Sequence, residues 1–189
     1  MKIVLSLLLV LIFWQGSAAQ QLLAPLPVNT ATGLITYAGV VPTPGVIQTS
    51  LLARAKVWAN RVGVVNKPPL AVTELGTDIL VVAGTQPMEQ VNGSSPSALY
   101  FLVQVSLREG RYQYKFEELT LETYNTTGYP SYQTAESLFI QNPPPKATGN
   151  SYATRLRKAF DEAVAQAATK LHSALVTPLT IPNSNGTEW

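Results

Sequence analysis

The stretch Leu99-Tyr100-Phe101-Leu102-Val103-Gln104-Val105-Ser106-Leu107-Arg108-Glu109-Gly110-Arg111-Tyr112-Gln113-Tyr114-Lys115-Phe116 decides the fold. Leu99, Phe101, Val103, Val105 and Leu107 alternate with Tyr100, Leu102, Gln104 and Ser106, the period of a strand with one face buried and one turned outward. Arg108-Glu109-Gly110 reads as a turn. The alternation then resumes, with Tyr112, Tyr114 and Phe116 on one face and Arg111, Gln113, Lys115 and Glu117 on the other. Two such strands across a tight turn form an antiparallel hairpin. The pair Glu117-Glu118 shifts the apolar phase to Leu119 and Leu121, a shift that one extra residue in a β-bulge produces.

Upstream, Asp78 to Ala83 holds Ile79, Leu80, Val81 and Val82 without a break, a strand apolar on both faces and so central in its sheet. Leu70 to Leu75 reads as the strand before it, joined through Gly76-Thr77, and Gln86 to Ser97 reads as a loop on the strength of Pro87, Asn92-Gly93 and Pro96. Earlier still, Leu34, Ile35, Tyr37, Val40 and Val41 form a first strand ending at Pro42. After the turn Pro42-Thr43-Pro44-Gly45, Thr49 or Ser50 caps a helix whose Leu51, Ala55, Trp58 and Val62 share one face. Gly63 ends it, and Trp58 is its core anchor.

Downstream, Tyr124 to Gly149 reads as a long loop holding only short helical pieces, with Tyr129, Tyr132, Phe139 and the run Pro143 to Pro145. From about Ser151 to Val176, Ala153, Leu156, Ala159, Phe160, Ala163, Val164, Ala167, Leu171 and Leu175 form one stripe of a helix that Pro178 stops. None of the 14 prolines falls inside an element so drawn. The fold class is therefore α+β in the order β-α-β-β-β-β-α, an antiparallel sheet covered on one face by two helices. Residues 33–177 form this single domain, 20–32 an extended lead-in and 178–189 a loose tail.

The N-terminus carries a different message. Lys2 precedes the apolar run Ile3 to Trp14, and Gly16, Ser17, Ala18 and Ala19 follow, the layout of a secretory signal peptide over residues 1–19. As a helix the run spans about 18 Å against a hydrocarbon core of about 30 Å, so a membrane anchor fits less well. Cleavage after Ala19 is expected to release the chain to the periplasm or outside the cell, with no stable membrane anchor after processing. No cysteine is present to carry a lipid or a disulfide, so packing alone holds the domain.

The chain has 189 residues, of which 13% are charged, with 13 Lys plus Arg against 11 Asp plus Glu. Loss of Lys2 with the signal leaves a net charge near zero, which excludes electrostatic steering toward nucleic acid. At 46% apolar residues the chain is not a disordered tail.

The segments Tyr37-Ala38-Gly39-Val40-Val41 with Pro44-Gly45, the helix Leu51-Leu52-Ala53-Arg54-Ala55-Lys56-Val57-Trp58, and the hairpin ending Arg108-Glu109-Gly110-Arg111-Tyr112-Gln113-Tyr114-Lys115-Phe116 carry a family resemblance. Over roughly Ala31 to Val176 the chain resembles an exported bacterial family of a domain of unknown function with a TATA-binding-protein-like fold. The resemblance implies a single-copy fold with a curved sheet, and an export route. It transfers no catalytic residue and implies no DNA binding, which in TATA-binding protein uses a duplicated domain with basic flanks and apolar wedges.

Catalytic sets are scarce. His172, the lone histidine, lies near the end of the last helix, where its charged form meets the negative end of the dipole, and no Gly-x-Ser-x-Gly elbow accompanies it. Metal sites of His or Cys are excluded by count, and Glu117, Glu118 and Glu122 lack the glycine-turned loop of a calcium site. Gly76, Gly84 and Gly93 lack the Lys-Ser or Lys-Thr of a phosphate loop. Sequons at Asn92, Asn125 and Asn185 matter only in a eukaryotic secretory pathway. No catalytic residue, metal or cofactor is therefore expected. The expected function is an exported, non-enzymatic binding or accessory module for an envelope or extracellular protein or glycan. Its contact residues are Arg111, Gln113, Lys115 and Gln104 on the open face, with Tyr129 and Tyr132 in the tyrosine-rich loop. The alternative is a small carboxylate-dependent hydrolase or carbohydrate-active enzyme.

Overall fold

A computed structural model describes residues 24–62, 73–89, 91, 97–124, 129–141 and 152–179. The expected signal peptide, the helix stop at Gly63, the first part of the strand drawn from Leu70, Pro143 to Pro145, the three sequons and the tail beyond Leu179 lie outside the described residues.

The elements run β1 Tyr37–Pro42, α1 Gln48–Val62, β2 Thr73–Leu75, β3 Ile79–Met88, β4 Ser97–Arg108, β5 Arg111–Tyr124, β6 Pro130–Thr134, a π turn Ser137–Gln141, and α2 Tyr152–Val176. All pairings among the strands are antiparallel, in the order β1-β5-β4-β3-β2, and β6 also pairs with β5. β1 and β6 share one edge of β5 end to end: β1 takes Arg111 to Phe116, β6 takes Thr120 to Tyr124. The result is the α+β architecture expected, an open six-stranded sheet with two main helices on one face.

The hairpin behaves as its alternation dictates. Leu99, Phe101, Val103, Val105 and Leu107 are buried, as are Tyr112 and Phe116, and Tyr114 packs beside them. The register slips where expected: Tyr100 faces Thr120 but Leu102 faces Glu117, so β5 carries one extra residue. Glu118 is that residue, with φ of 52°, and beyond it Leu119 and Leu121 take over the buried phase. At the hairpin turn Gly110 adopts φ of 71°, and the turn after β1 docks onto it through Thr43 N–H to Gly110 O (2.7 Å) and Gly110 N–H to Val46 O (3.0 Å). Glycine reaches this left-handed region without strain.

Leu51, Ala55, Trp58 and Ala59 of α1 and Leu156, Ala159, Phe160, Ala163, Val164, Ala167, Leu171 and Leu175 of α2 are buried in one core with the inner sheet face. The end of α1 lies close over Gly84 of β3, where a Cβ would stand 3.2 Å from the Val62 carbonyl oxygen and 2.7 Å from the Phe101 ring of β4. Aromatic edges close the centre, Phe101 on Phe116 at 5.0 Å and Phe139 on Phe160 at 5.1 Å between centroids. Residues 24–36 fold back on the domain: Val28 bridges Ile35, and the buried Ile35 N–H donates to Oε1 of Glu136 at 2.8 Å.

Three expectations need correction. β3 does not stop at Ala83 but runs through Gln86 and Pro87 to Met88. Pro87 therefore sits inside a strand. Among the described residues β2 pairs only with Ile79 to Val81, so no described strand draws on the N–H that Pro87 lacks on that side. The segment after Tyr124 is not merely loop and short helix, since residues 130–134 form β6; a polar strand exposed along most of its length carries no alternation to announce it. Finally, α1 starts at Gln48, so Thr49 and Ser50 lie in its first turn and do not cap it.

Candidate functional site

The outer face of the sheet is built in rows across the strands. Val40, Gln113, Ser106 and Ile79 form one row, Ala38, Lys115, Gln104 and Val81 the next, and then Glu117, Leu102 and Ala83. Past the bulge come Thr134, Thr120, Tyr100 and Thr85, followed by Tyr132, Glu122, Ala98 and Pro87. Strand alternation alone turns these side chains away from the helices.

The expected contact residues divide into two groups. Arg111 and Gln113 are exposed and border a shallow cavity of about 380 Å³ shared with Arg108, Asp78, Ser106 and Val40. Gln104 and Lys115 stand directly opposite each other in the adjoining row, and the Lys115 ammonium pairs with Glu117 at 2.5 Å. These four form one polar patch. Tyr132 lies about 20 Å along the sheet from the Gln104 row, at roughly 3.3 Å per residue, with Tyr129 just before it. The tyrosines therefore do not join the patch.

They join a cluster of their own, which the sequence did not announce. Tyr100 packs edge-on against Tyr132 with centroids 5.8 Å apart. Glu122 sits at its centre, accepting hydrogen bonds from the Tyr100 hydroxyl through Oε2 and from Tyr124 through Oε1 at 2.9 Å. Desolvation first, then the bond to Glu122, raises the Tyr100 phenol above its ordinary value; for Tyr124 the bond to Glu122 leads. Only the β5 to β6 register, which puts Tyr132 opposite Glu122, reveals this grouping. Tyr129 is 70% exposed and Tyr132 48% exposed, so these rings present surface outward.

His172 is exposed on α2, with Nδ1 3.1 Å from the Tyr112 hydroxyl. Burial, then the neighbouring Tyr114, pushes Tyr112 up to about 12. Glu118 stands alone on the bulge, while Glu117 and Glu122 project from the outer face. Among the described residues no three His, Cys, Asp or Glu side chains group as a metal site, and no helix is long and apolar enough to cross a membrane.

No family model matches the sequence, and no curated protein matches it. Solved structures do. A TBP-like protein from Parabacteroides distasonis ATCC 8503 superposes with a TM-score of 0.60 at 11% identity, covering 78% of this chain and 96% of its own. A DUF4468 family protein from Bacteroides ovatus ATCC 8483 gives 0.57 at 13% identity, covering 82% and 94%. At these identities the likeness is one of fold: the chain has a TBP-like α+β fold.

Proposed function

We propose that this chain is an exported, non-enzymatic binding module of the TBP-like group of domains of unknown function, engaging its partner through the outer face of the sheet. The observation that carries the reading is the asymmetry of the sheet. Both helices pack on the inner face, while Arg111, Gln113, Lys115 and Gln104 line a contiguous polar patch on the outer face, which no helix covers among the described residues. The partner is a protein or glycan of the envelope or the extracellular space.

The competing hydrolase needs two cooperating carboxylates about 5–9.5 Å apart. Glu117 and Glu122 face Leu102 and Ala98, positions separated along β4 by about 13 Å at the rise of a strand. Each is also engaged, Glu117 with Lys115 and Glu122 with two tyrosine hydroxyls. That spacing favours binding over hydrolysis.

The test is capture from envelope extracts on immobilised protein, with protease-treated and glycosidase-treated extracts as separate arms. Loss of capture in one arm names the partner class; turnover of a glycan without retention would support the hydrolase instead. Export is tested by the intact mass of protein recovered outside the cytoplasm. Loss of Met1 to Ala19 is the expected result, and a retained Met1 in a membrane pellet contradicts it.

A further inference from the structure

A second concave feature lies where the C-terminal halves of α1 and α2 meet Thr85 to Pro87 of β3, a groove of about 1010 Å³, at the large end of the range for small-molecule pockets. Its apolar wall includes Val57, Trp58, Phe101, Ala167 and Ala174. Its charged wall is of one sign: Arg54, Arg61 and Lys170 line it, and no Asp or Glu does so among the described residues.

Two of these cations are already engaged. Arg54 donates to the carbonyl oxygens of Leu175 (2.7 Å) and Val176 (3.2 Å), offsetting the negative end of α2. Lys170 donates to Oε1 of the buried Gln86 at 2.8 Å, and the Gln86 amide donates in turn to Gln166 at 2.9 Å. Arg61 has no ion-pair partner among the described residues. The helix ends contribute about −0.5 charge each, roughly −1 in all against three cations, so the groove keeps an excess positive charge. Trp58, 4% exposed, contributes the edge of its ring to the same wall, while its indole N–H is buried without a hydrogen-bond partner among the described residues.

We propose that this groove binds a fatty carboxylate, with the head group at Arg61 and the acyl chain along Val57, Trp58, Phe101 and Ala174. One unengaged arginine matches one negative charge, and a planar guanidinium matches a carboxylate. The apolar wall supplies chain affinity. This site is separate from the Arg111, Gln113 and Lys115 patch, so either assignment stands or falls without the other.

The test is calorimetric titration of the purified protein with octanoate, decanoate and dodecanoate below their micelle concentrations. One site per chain is expected, with affinity rising about two- to fourfold per added methylene. Decanol and decyltrimethylammonium should bind at least tenfold more weakly than decanoate, and acetate not at all. Arg61 is exposed on α1, so Arg61→Glu should fold normally and weaken decanoate at least tenfold, while Arg61→Lys, which keeps the charge but loses the planar fork, should weaken it by less than Arg61→Glu does. Replacing Arg111, Gln113 and Lys115 by serine should leave decanoate affinity unchanged. Affinity independent of chain length, decanol binding as tightly as decanoate, decyl phosphate binding tenfold more tightly, an Arg61→Glu variant equal to the parent, or no binding at all would each overturn the assignment.

Discussion

Glu136 ties the N-terminal segment of the described chain to the stretch after β6, and its removal has a calculable cost. The carboxylate is 8% exposed and accepts the N–H of Ile35, itself 0% exposed, across a separation of 101 residues. Glu136→Ala removes the acceptor and leaves a buried donor unmet, a loss of about 1.5–3 kcal/mol for a hydrogen bond to a charged group. For a domain of this size that lowers Tm by about 3–12 °C. The loss should first appear locally, because among the described residues few hydrogen bonds tie residues 24–36 to the rest of the domain, another being Arg157 Nη2 to the Ala24 carbonyl oxygen at 3.0 Å. Hydrogen exchange read by NMR should show the Ile35 amide exchanging about 10- to 150-fold faster, while the β4 and β5 amides hold. Glu136→Gln keeps an acceptor oxygen and should recover most of the protection. If Glu136→Ala leaves both the Ile35 protection and Tm unchanged, the contact does not anchor this segment.

Trp58→Ala should cost about 3–5 kcal/mol, seen as a lower urea midpoint, because the ring is 4% exposed in the core; a change no larger than that of a surface substitution would contradict its place. Gly84→Ala should cost about 1–3 kcal/mol, since its Cβ would stand 2.7 Å from Phe101, and Phe101→Leu should recover part of that loss. Tyr112 is raised from 10.0 to about 12 by burial first, so its neutral form is favoured in the folded state. Its contribution is complete below pH 10 and is lost as pH rises toward 12, up to about 2–3 kcal/mol. Urea titrations at pH 9 and pH 12 should show Tyr112→Phe losing less stability over that interval than the parent.

The sequence makes the hairpin legible because both its strands are half-buried, so every second residue reports its face. The bulge is legible for the same reason, since Leu119 and Leu121 break the phase that Tyr112, Tyr114 and Phe116 set. Both helices are legible from their stripes, although Ala59 joins the buried face of α1 and Val62 packs against the core only half-buried. What the sequence hides is whatever depends on an edge or a distant partner. Pro87 reads as a strand stop, yet it pairs with Ala98 of β4, and among the described residues β2 does not extend to it. β6 is mostly exposed and so has no apolar period, and without β6 neither the Tyr100, Tyr124 and Tyr132 cluster nor its centre at Glu122 is visible. A lone glutamate such as Glu136 reads as a solvated loop residue until the fold brings Ile35 to it.

Binding through the outer sheet face is tested most directly by replacing Arg111, Gln113 and Lys115 together with serine and measuring capture of the partner recovered by the parent protein. Arg111 and Gln113 are exposed and Lys115 is half-buried beside Glu117, so Tm should stay within about 2 °C of the parent. Capture should fall at least tenfold. Undiminished capture by a folded triple variant would contradict the assignment of this face.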